Sequence, residues 1–219
     1  GALDLDKLPE KVAVIGGGYI GLELGIALRR LGSEVSVIEG LDKVMAIFDD
    51  ELRRPLTTWL RKNGVKTHTN CLAQGAEIKD EMVELSWKNG EGETQTETFD
   101  RVLVTVGRRP NTQGWGLENM GLRMDTSGRF IRIDQQCKTS MKGVYAIGDV
   151  SGEPMLAHRA SAQGEMVAEI IAGKKRKFDP VAIPAIVFTE PEIVSVGLTP
   201  DEAIDAGEEI ITGKFPLAA

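Results

Sequence analysis

The sequence predicts an α/β fold in which helices join the strands of a parallel sheet and an antiparallel β-meander is attached to it. Three observations carry this. β-Branched runs alternate with segments of helical period over residues 11–69, and a glycine cluster sits where the first strand turns into the first helix. After them, two-residue alternation around turn signals replaces the helical period.

The elements follow in order. KVAVI at residues 11–15 is a short strand that ends in glycines, and residues 19–31 carry apolar side chains at helical spacing until Gly32 stops them. EVSVI at 34–38 is a second strand, which closes a βαβ unit of about 30 residues. Residues 49–63 read as a helix with Leu52, Leu56, Trp59 and Leu60 on one face and Gly64 as its stop. Residues 65–69 make a third parallel strand. Runs at 76–79, 82–87 and 94–99, punctuated by Lys88-Asn89-Gly90, read as antiparallel hairpins, and RVLVTV at 101–106 as a buried strand leading into Gly107. Beyond Pro110 the texture changes to a glycine-rich loop around 114–121, strands at 130–133 and 144–147, and a helix from about 157 to 172. The basic run Lys174 to Lys177 reads as a solvated helix end, favoured by the helix dipole, followed by a linker. The remainder holds strand-like runs at 186–189 and 193–196, a short helix opened by Thr199-Pro200-Asp201-Glu202, and a final strand. These last elements are too few to close a core alone.

Composition narrows the class. With 219 residues, 42% of them apolar and 27% charged, the chain can form one large domain or two small ones. No apolar run is long enough to cross a bilayer and no signal peptide opens the chain, which predicts a soluble protein of the cytoplasm or an organelle matrix. The net charge of −7 arises from acids scattered among bases, so no basic stripe is available to nucleic acid. Cys71 and Cys137 stand far apart and form no redox or metal motif, so both read as reduced structural thiols. The chain opens on Gly and stops without a cap or turn, and it reads as an excised or truncated piece.

The strongest chemical signal is Gly16-Gly17-Gly18-Tyr19-Ile20-Gly21, a G-x-G-x-x-G placed between a strand and a helix. Gly16 permits the tight turn, Gly18 lets a pyrophosphate approach the backbone, and Gly21 lets helix and strand pack closely. The helix N-terminus adds amide donors and positive potential. Glu39 ends the second strand, about 20 residues past the glycines, where a carboxylate accepts the ribose hydroxyls of NAD and repels the extra phosphate of NADP. The pattern therefore predicts a Rossmann-like dinucleotide-binding domain with NAD as its ligand.

The runs VAVIGGGYIGLELG (12–25), VGRRPN (106–111), YAIGD (145–149), EPMLAH (153–158) and FTEPEIVSVGLT (188–199), in this order, resemble the dihydrolipoamide dehydrogenase family of flavoprotein disulfide reductases. The resemblance spans nearly the whole chain. It implies an NAD-binding domain over residues 1–109, the returning part of an FAD-binding domain over 110–179, and the start of an α+β dimerisation domain over 180–219. It implies oxidation of dihydrolipoamide through a disulfide and FAD to reduce NAD, in a homodimeric component of 2-oxo acid dehydrogenase complexes. Glutathione reductase, mercuric reductase, soluble transhydrogenase and NADH oxidase relatives are the rivals within the fold, although Glu39 argues against the NADP-preferring members. A nucleotide-binding module without chemistry of its own is the alternative outside it.

By the same resemblance Tyr19 lies near the flavin and nicotinamide faces, or else packs at the helix start. Glu23 is the carboxylate that faces the nicotinamide and pairs with a lysine beside the redox disulfide, or an exposed first-turn Glu. Gly107 borders the NAD site, while Arg108 and Arg109 either touch the cofactor or brace the domain boundary. Gly148 and Asp149 hold the ribityl chain of FAD, and the backbone around Met155, Leu156, Ala157 and His158 faces the flavin edge. His158 is assigned to that loop rather than to catalysis, and His68 to structure or solvent. The family's N-terminal FAD fingerprint, C-x-x-x-x-C disulfide and C-terminal His-Glu pair do not occur among these residues, so an incomplete flavin site, an inactive chain and a tail with unsatisfied apolar strands are expected. That tail is expected to fold back on the flavin-side segment or to pair with another copy.

Overall fold

The computed structural model describes residues 1–215, and the chain divides into two compact units. One comprises Gly1–Val106 together with the segment from Ile186 onward, and the other comprises Gly107–Ala185.

The first unit is built on β1 (Lys11–Ile15), α1 (Tyr19–Leu31), β2 (Glu34–Ile38), α2 (Asp50–Lys62), β3 (Lys66–His68), β4 (Leu72–Lys79), β5 (Met82–Lys88), β6 (Thr94–Phe99) and β7 (Arg101–Val104). Strands β3-β2-β1-β7 form a parallel sheet, with Val12 opposite Val35 and Arg101. The centre of β1 is fully buried at Val12, Ala13 and Val14, as a strand covered on both faces requires. Gly32 ends α1 in the left-handed region at φ 118°, and its amide returns to the carbonyls of Leu28 and Arg29. Asp49 caps α2 by accepting from the amides of Glu51 and Leu52.

Strands β4-β5-β6 form the antiparallel meander, with a bulge between Ala73 and Gly75. Alternation along β5 points Leu85 and Trp87 into a core with Ala13, Ile38, Cys71 and Phe99. This layer joins the meander to the parallel sheet. His68, expected to be structural or solvent-facing, packs against Trp87 with ring centroids 5.5 Å apart and planes tilted by 51°.

Two details depart from expectation here. The buried face of α2 is Arg53, Leu56 and Leu60, whereas Leu52 is 36% exposed. Residues 53, 56 and 60 share one face at helical spacing, and Arg53 is tolerated inside because its guanidinium pairs with Asp50 and donates to the Val44 carbonyl at 3.4 Å. The run 101–106 is a strand only to Val104 and lies at the sheet edge, paired to β1 alone, with Val104 and Val106 exposed. An edge strand is covered on one flank only, so a β-branched run does not guarantee burial.

In the second unit the expected strands at 130–133 and 144–147 reduce to single bridges, Met124 to Ile131 and Lys138 to Tyr145. Extended, apolar segments are present, but each bridge rests on two backbone hydrogen bonds, Asp125 to Phe130 with Arg132 to Arg123 and Thr139 to Val144 with Ala146 to Cys137, and no longer ladder propagates. Leu117, Ile131 and Ala146 pack as one small cluster, and Cys137, Met166 and Val167 as another against α3 (Ala157–Ile171). The basic run after α3 is neutralised locally: Glu169 pairs with Lys174 at 2.8 Å and Arg176 at 3.0 Å, which holds its carboxyl below the usual range.

In the tail, β8 (Ala185–Val187) pairs with β9 (Ile193–Ser195), and α4 (Pro200–Asp205) opens on a capping box between Thr199 and Glu202. No strand follows α4 up to residue 215, and residues 216–219 lie outside the described residues. From Ile186 the tail groups with the first unit rather than with Gly107–Ala185, onto which it was expected to fold back unless it paired with another copy. Arg30 bonds Glu190 at 3.1 Å, and Lys214 reaches Glu51. Phe188, Val194, Val196, Leu198 and Ile204 remain exposed.

Both cysteines are buried free thiols, and burial pushes each thiol above its ordinary value of 9.0. A thiol reagent is expected to read almost no cysteine in the folded chain and both after denaturation. Because the folded values are the raised ones, stability should be intact below pH 9 and fall as pH rises beyond it, which a denaturant titration at pH 8 and pH 10 measures. Rapid reaction of the native chain would show that these thiols are open.

Candidate nucleotide-binding site

The site in the first unit grows from the turn between β1 and α1. Gly16 adopts φ +100°, a conformation that L side chains rarely adopt, and its amide donates to the Ile38 carbonyl at 2.9 Å. A side chain at Gly21 would stand 2.3 Å from the Gly16 carbonyl oxygen, 2.5 Å from Thr105 Oγ1 and 2.8 Å from Val14 Cγ1. The third glycine is thus required for the closeness of helix and strand, as its position in the motif predicts.

Gly18 differs. It is the N-cap of α1, supplies no side-chain cap, and has no protein atom within 4 Å of where a Cβ would stand. Packing of the chain on itself therefore does not require glycine there. The first amides of a helix lack intrahelical acceptors, so this open space lies where donors and positive potential converge. Tyr19 and Ile20, half-buried, form the opening of the helix beside it.

Glu39 leaves β2 half-buried and turns back to this loop. Its Oε2 accepts the Gly17 amide at 2.5 Å and its Oε1 accepts the Leu41 amide at 2.7 Å. A carboxylate has about four acceptor positions, so about two remain for hydroxyl donors. The loop after β2 also grips the turn, because the Met45 amide donates to the Gly17 carbonyl at 2.9 Å. Val44 Cγ1 would lie 2.7 Å from a Cβ at Gly17, which explains why the second residue of the motif is also glycine here.

Thr105, just beyond β7, was not singled out in the sequence. Its amide bonds the Ile15 carbonyl at 2.8 Å, while its hydroxyl lies 2.9 Å from that carbonyl and 3.0 Å from the Gly16 carbonyl. The signal that marks it is a lone hydroxyl within the otherwise apolar run 102–106. Glu23, one turn into α1, does not join this cluster: its Oε1 accepts the Phe188 amide at 2.9 Å.

The remaining sequence-predicted residues belong to the second unit. Gly107, at φ +124°, and Arg108 group with it; Gly107 was expected to border the NAD site, and Arg108 either to touch the cofactor or to brace the domain boundary. Arg108 donates to Asp149 Oδ2 at 3.0 Å and to the Met155 carbonyl at 2.6 Å, bringing three expected site residues together. Both side chains are more than a third exposed, so the pair organises the loop more than it stabilises the fold. Arg109 is exposed.

Asp149 sits in a 3-10 turn (Gly148–Ser151) rather than at the end of a strand. Gly148 takes φ +72°, and a Cβ there would lie 3.1 Å from Ala160 Cβ, so the glycine admits the chain's own helix. Leu156 is the N-cap of α3 with no side-chain bond, and Ala157 and His158 open the helix exposed to solvent. His158 Nε2 lies 2.9 Å from the Pro184 carbonyl.

Sequence reasoning also missed two buried polar residues of α3. Gln163 Oε1 accepts the Gly148 amide at 2.8 Å, and Arg159 donates to the Gly152 carbonyl at 2.8 Å. Their spacing of one helical turn on a buried face is the available clue. Among the described residues no group of His, Cys, Asp and Glu is arranged to hold a metal, and no helix is long and apolar enough to cross a membrane.

Comparison with known proteins places this architecture. The pyridine nucleotide-disulphide oxidoreductase model matches residues 1–164, and the dimerisation domain model of the same family matches residues 183–219. A dihydrolipoyl dehydrogenase of Pseudomonas aeruginosa is 50% identical over 218 residues, and one of Geobacillus stearothermophilus is 46% identical over 219. The chain spans 46% of the length of each of these relatives. Among solved structures, the HOCl-induced flavoprotein disulfide reductase RclA from Escherichia coli aligns over 100% of this chain and 49% of its own, with TM-score 0.87 and 27% identity. LpdA from Mycobacterium tuberculosis aligns over 93% of this chain and 43% of its own, with TM-score 0.79 and 32% identity. The glycine turn, its helix and the carboxylate of Glu39 are thus features of a chain that belongs to the pyridine nucleotide-disulphide oxidoreductase family.

Proposed function

We propose that this chain is the pyridine-nucleotide-binding portion of a dihydrolipoyl dehydrogenase, with NAD as the nucleotide held in the first unit. The carrying observation is Glu39: its carboxylate is fixed by the Gly17 and Leu41 amides beside the open space at Gly18, at the mouth of α1. Gly16, Gly18, Tyr19, Ile20 and Gly21 shape the turn that takes the pyrophosphate, and the remaining acceptor positions of Glu39 take the ribose hydroxyls. Bound NAD supplies a hydride acceptor. The chain's own contribution is to bind it, orient it and refuse a 2′-phosphate by charge.

FAD is the second proposed cofactor, and it supplies two-electron chemistry when bound. Gly148, Asp149 and the Met155–Leu156–Ala157–His158 backbone are the residues proposed to meet it, while Gly107 is proposed to border the NAD site and Arg108 to touch a cofactor or brace the domain boundary. What supports the fit is the uncapped start of α3 beside a half-exposed Asp149. Domain limits of 1–109, 110–179 and 180–219 accompany this reading. So do a homodimeric parent serving 2-oxo acid dehydrogenase complexes, a cytoplasmic or mitochondrial-matrix setting, and a role for Glu23 facing the nicotinamide. Cys71 and Cys137 are both buried free thiols, and in this reading the 219-residue chain binds nucleotide while the disulfide chemistry belongs to the whole parent.

The test is a fluorescence titration of the 219-residue chain with NADH and NADPH. NADH should bind at least about tenfold more tightly, since one charged hydrogen bond contributes about 1.5–3 kcal/mol. Equal or reversed affinity would sink the reading.

A further inference from the structure

Thr105 and Glu39 hold opposite ends of one peptide unit. The Gly16–Gly17 bond is trans, so its carbonyl and its amide point to opposite sides. The carbonyl of Gly16 lies 3.0 Å from Thr105 Oγ1, and the amide of Gly17 lies 2.5 Å from Glu39 Oε2. The two side chains come from different places in the sheet, one after the edge strand β7 and the other at the end of β2. Both are only partly exposed. The hydroxyl lies 2.9 Å from the Ile15 carbonyl and 3.0 Å from the Gly16 carbonyl; Ile15 also receives the Thr105 amide at 2.8 Å, so Gly16 is the one of the two that the amide leaves unserved.

We propose that Thr105 is a positioning residue for nucleotide selectivity: it fixes the tilt of the Gly16–Gly17 peptide, and through it the orientation of the Glu39 carboxylate. This rests on the reading that NAD binds at this turn. The physical chain is short. Gly16, at φ +100°, has no side chain to restrict its backbone, so the turn holds one conformation only if its polar groups are tied. Without the hydroxyl the Gly16 carbonyl loses its donor next to packed Val14 and Gly21, and the peptide tips to find another. The Gly17 amide moves with it, because the peptide is planar, and Glu39 is left with the Leu41 amide alone to aim it. The pyrophosphate position at Gly18 is one bond further on and less affected. Selectivity therefore depends on Thr105 more than overall binding does.

The experiment is a double-mutant cycle on the full 219-residue chain, with NADH and NADPH affinities for wild type, Thr105→Val, Glu39→Ala and the double variant. Thr105→Val should weaken NADH about three- to tenfold, leave NADPH nearly unchanged and so narrow their ratio. Thr105→Ser, which keeps the hydroxyl, should restore most of the ratio. On the Glu39→Ala background, Thr105→Val should change NADH affinity by less than about twofold, because its route is already cut. Hydrogen exchange at the Gly17 amide without nucleotide should quicken in Thr105→Val, or in Thr105→Ala where the valine variant does not fold. An unchanged NADH to NADPH ratio, or additive effects in the cycle, would overturn the proposal while leaving the NAD reading intact. A wild-type chain that binds neither nucleotide would remove that reading and this one with it.

Discussion

Gly21→Ala is expected to destabilise the chain and to abolish measurable NADH binding. Two effects oppose one another at this position. Alanine is a better helix former than glycine by about 1 kcal/mol, so propensity alone predicts a more stable α1. Against it, the new methyl would stand 2.3 Å from the Gly16 carbonyl oxygen, 2.5 Å from Thr105 Oγ1 and 2.8 Å from Val14 Cγ1. The first neighbour is backbone and the last belongs to a fully buried strand residue, so neither can move aside cheaply. Overpacking costs about 1–3 kcal/mol and more where backbone must shift, so it wins.

A fall in melting temperature of several degrees should follow, at about 2–4 °C per kcal/mol for a chain of this size. Binding is lost because α1 must retreat from the turn whose amides meet the pyrophosphate. Gly25→Ala is the control on the same helix: its methyl would meet Val35 Cγ1 at 3.4 Å and Val14 Cγ2 at 3.6 Å, ordinary contacts, so helix propensity should prevail. If Gly21→Ala melts with wild type, the close approach of helix and strand is not what that glycine is for.

Glu39→Arg should invert the nucleotide preference. Wild-type Glu39 fixes the turn through Gly17 and Leu41 and offers its remaining lone pairs to ribose hydroxyls, while its charge opposes a 2′-phosphate. Arginine removes both acceptors and presents a cation that pairs with phosphate bidentately. Loss of the charged hydrogen bonds weakens NADH by about 10- to 150-fold, and NADPH should gain. Because the same carboxylate also braces Gly17, some affinity for either nucleotide is lost, and the ratio of the two dissociation constants is the informative number. A variant that still prefers NADH would place the selectivity elsewhere in the chain.

The nucleotide turn was legible in the sequence because its requirements are local. Strand, glycines and helix lie within a few residues, Gly21 must clear the nearby Gly16 carbonyl and Val14, and Gly32 stops α1 by its own left-handed conformation. β1, α1 and β2 are found where two simple periodicities place them, and Glu39 stands at the end of β2 for the same reason. That β3 runs parallel to β2 follows from the α2 crossover between them, and the hairpins of the meander from patterns of fewer than ten residues.

What only the tertiary structure decided are contacts between residues distant in sequence. Thr105 reaches Gly16 across the sheet, and Gln163 reaches Gly148 from a helix, by hydrogen bonds that no local pattern encodes. Whether β7 would be central or an edge depends on which strands flank it, and the β-branched run 101–106 reads the same in either place. Extended segments around Ile131 and Tyr145 needed partners to become strands and found only single bridges. Arg53 rather than Leu52 faces inward on α2 because Asp50 and the Val44 carbonyl are there to receive its charge. Periodicity fixes a segment's own conformation and the side it turns to its neighbours. The identity of those neighbours, and the polar groups they bring, depends on burial and pairing over the whole chain.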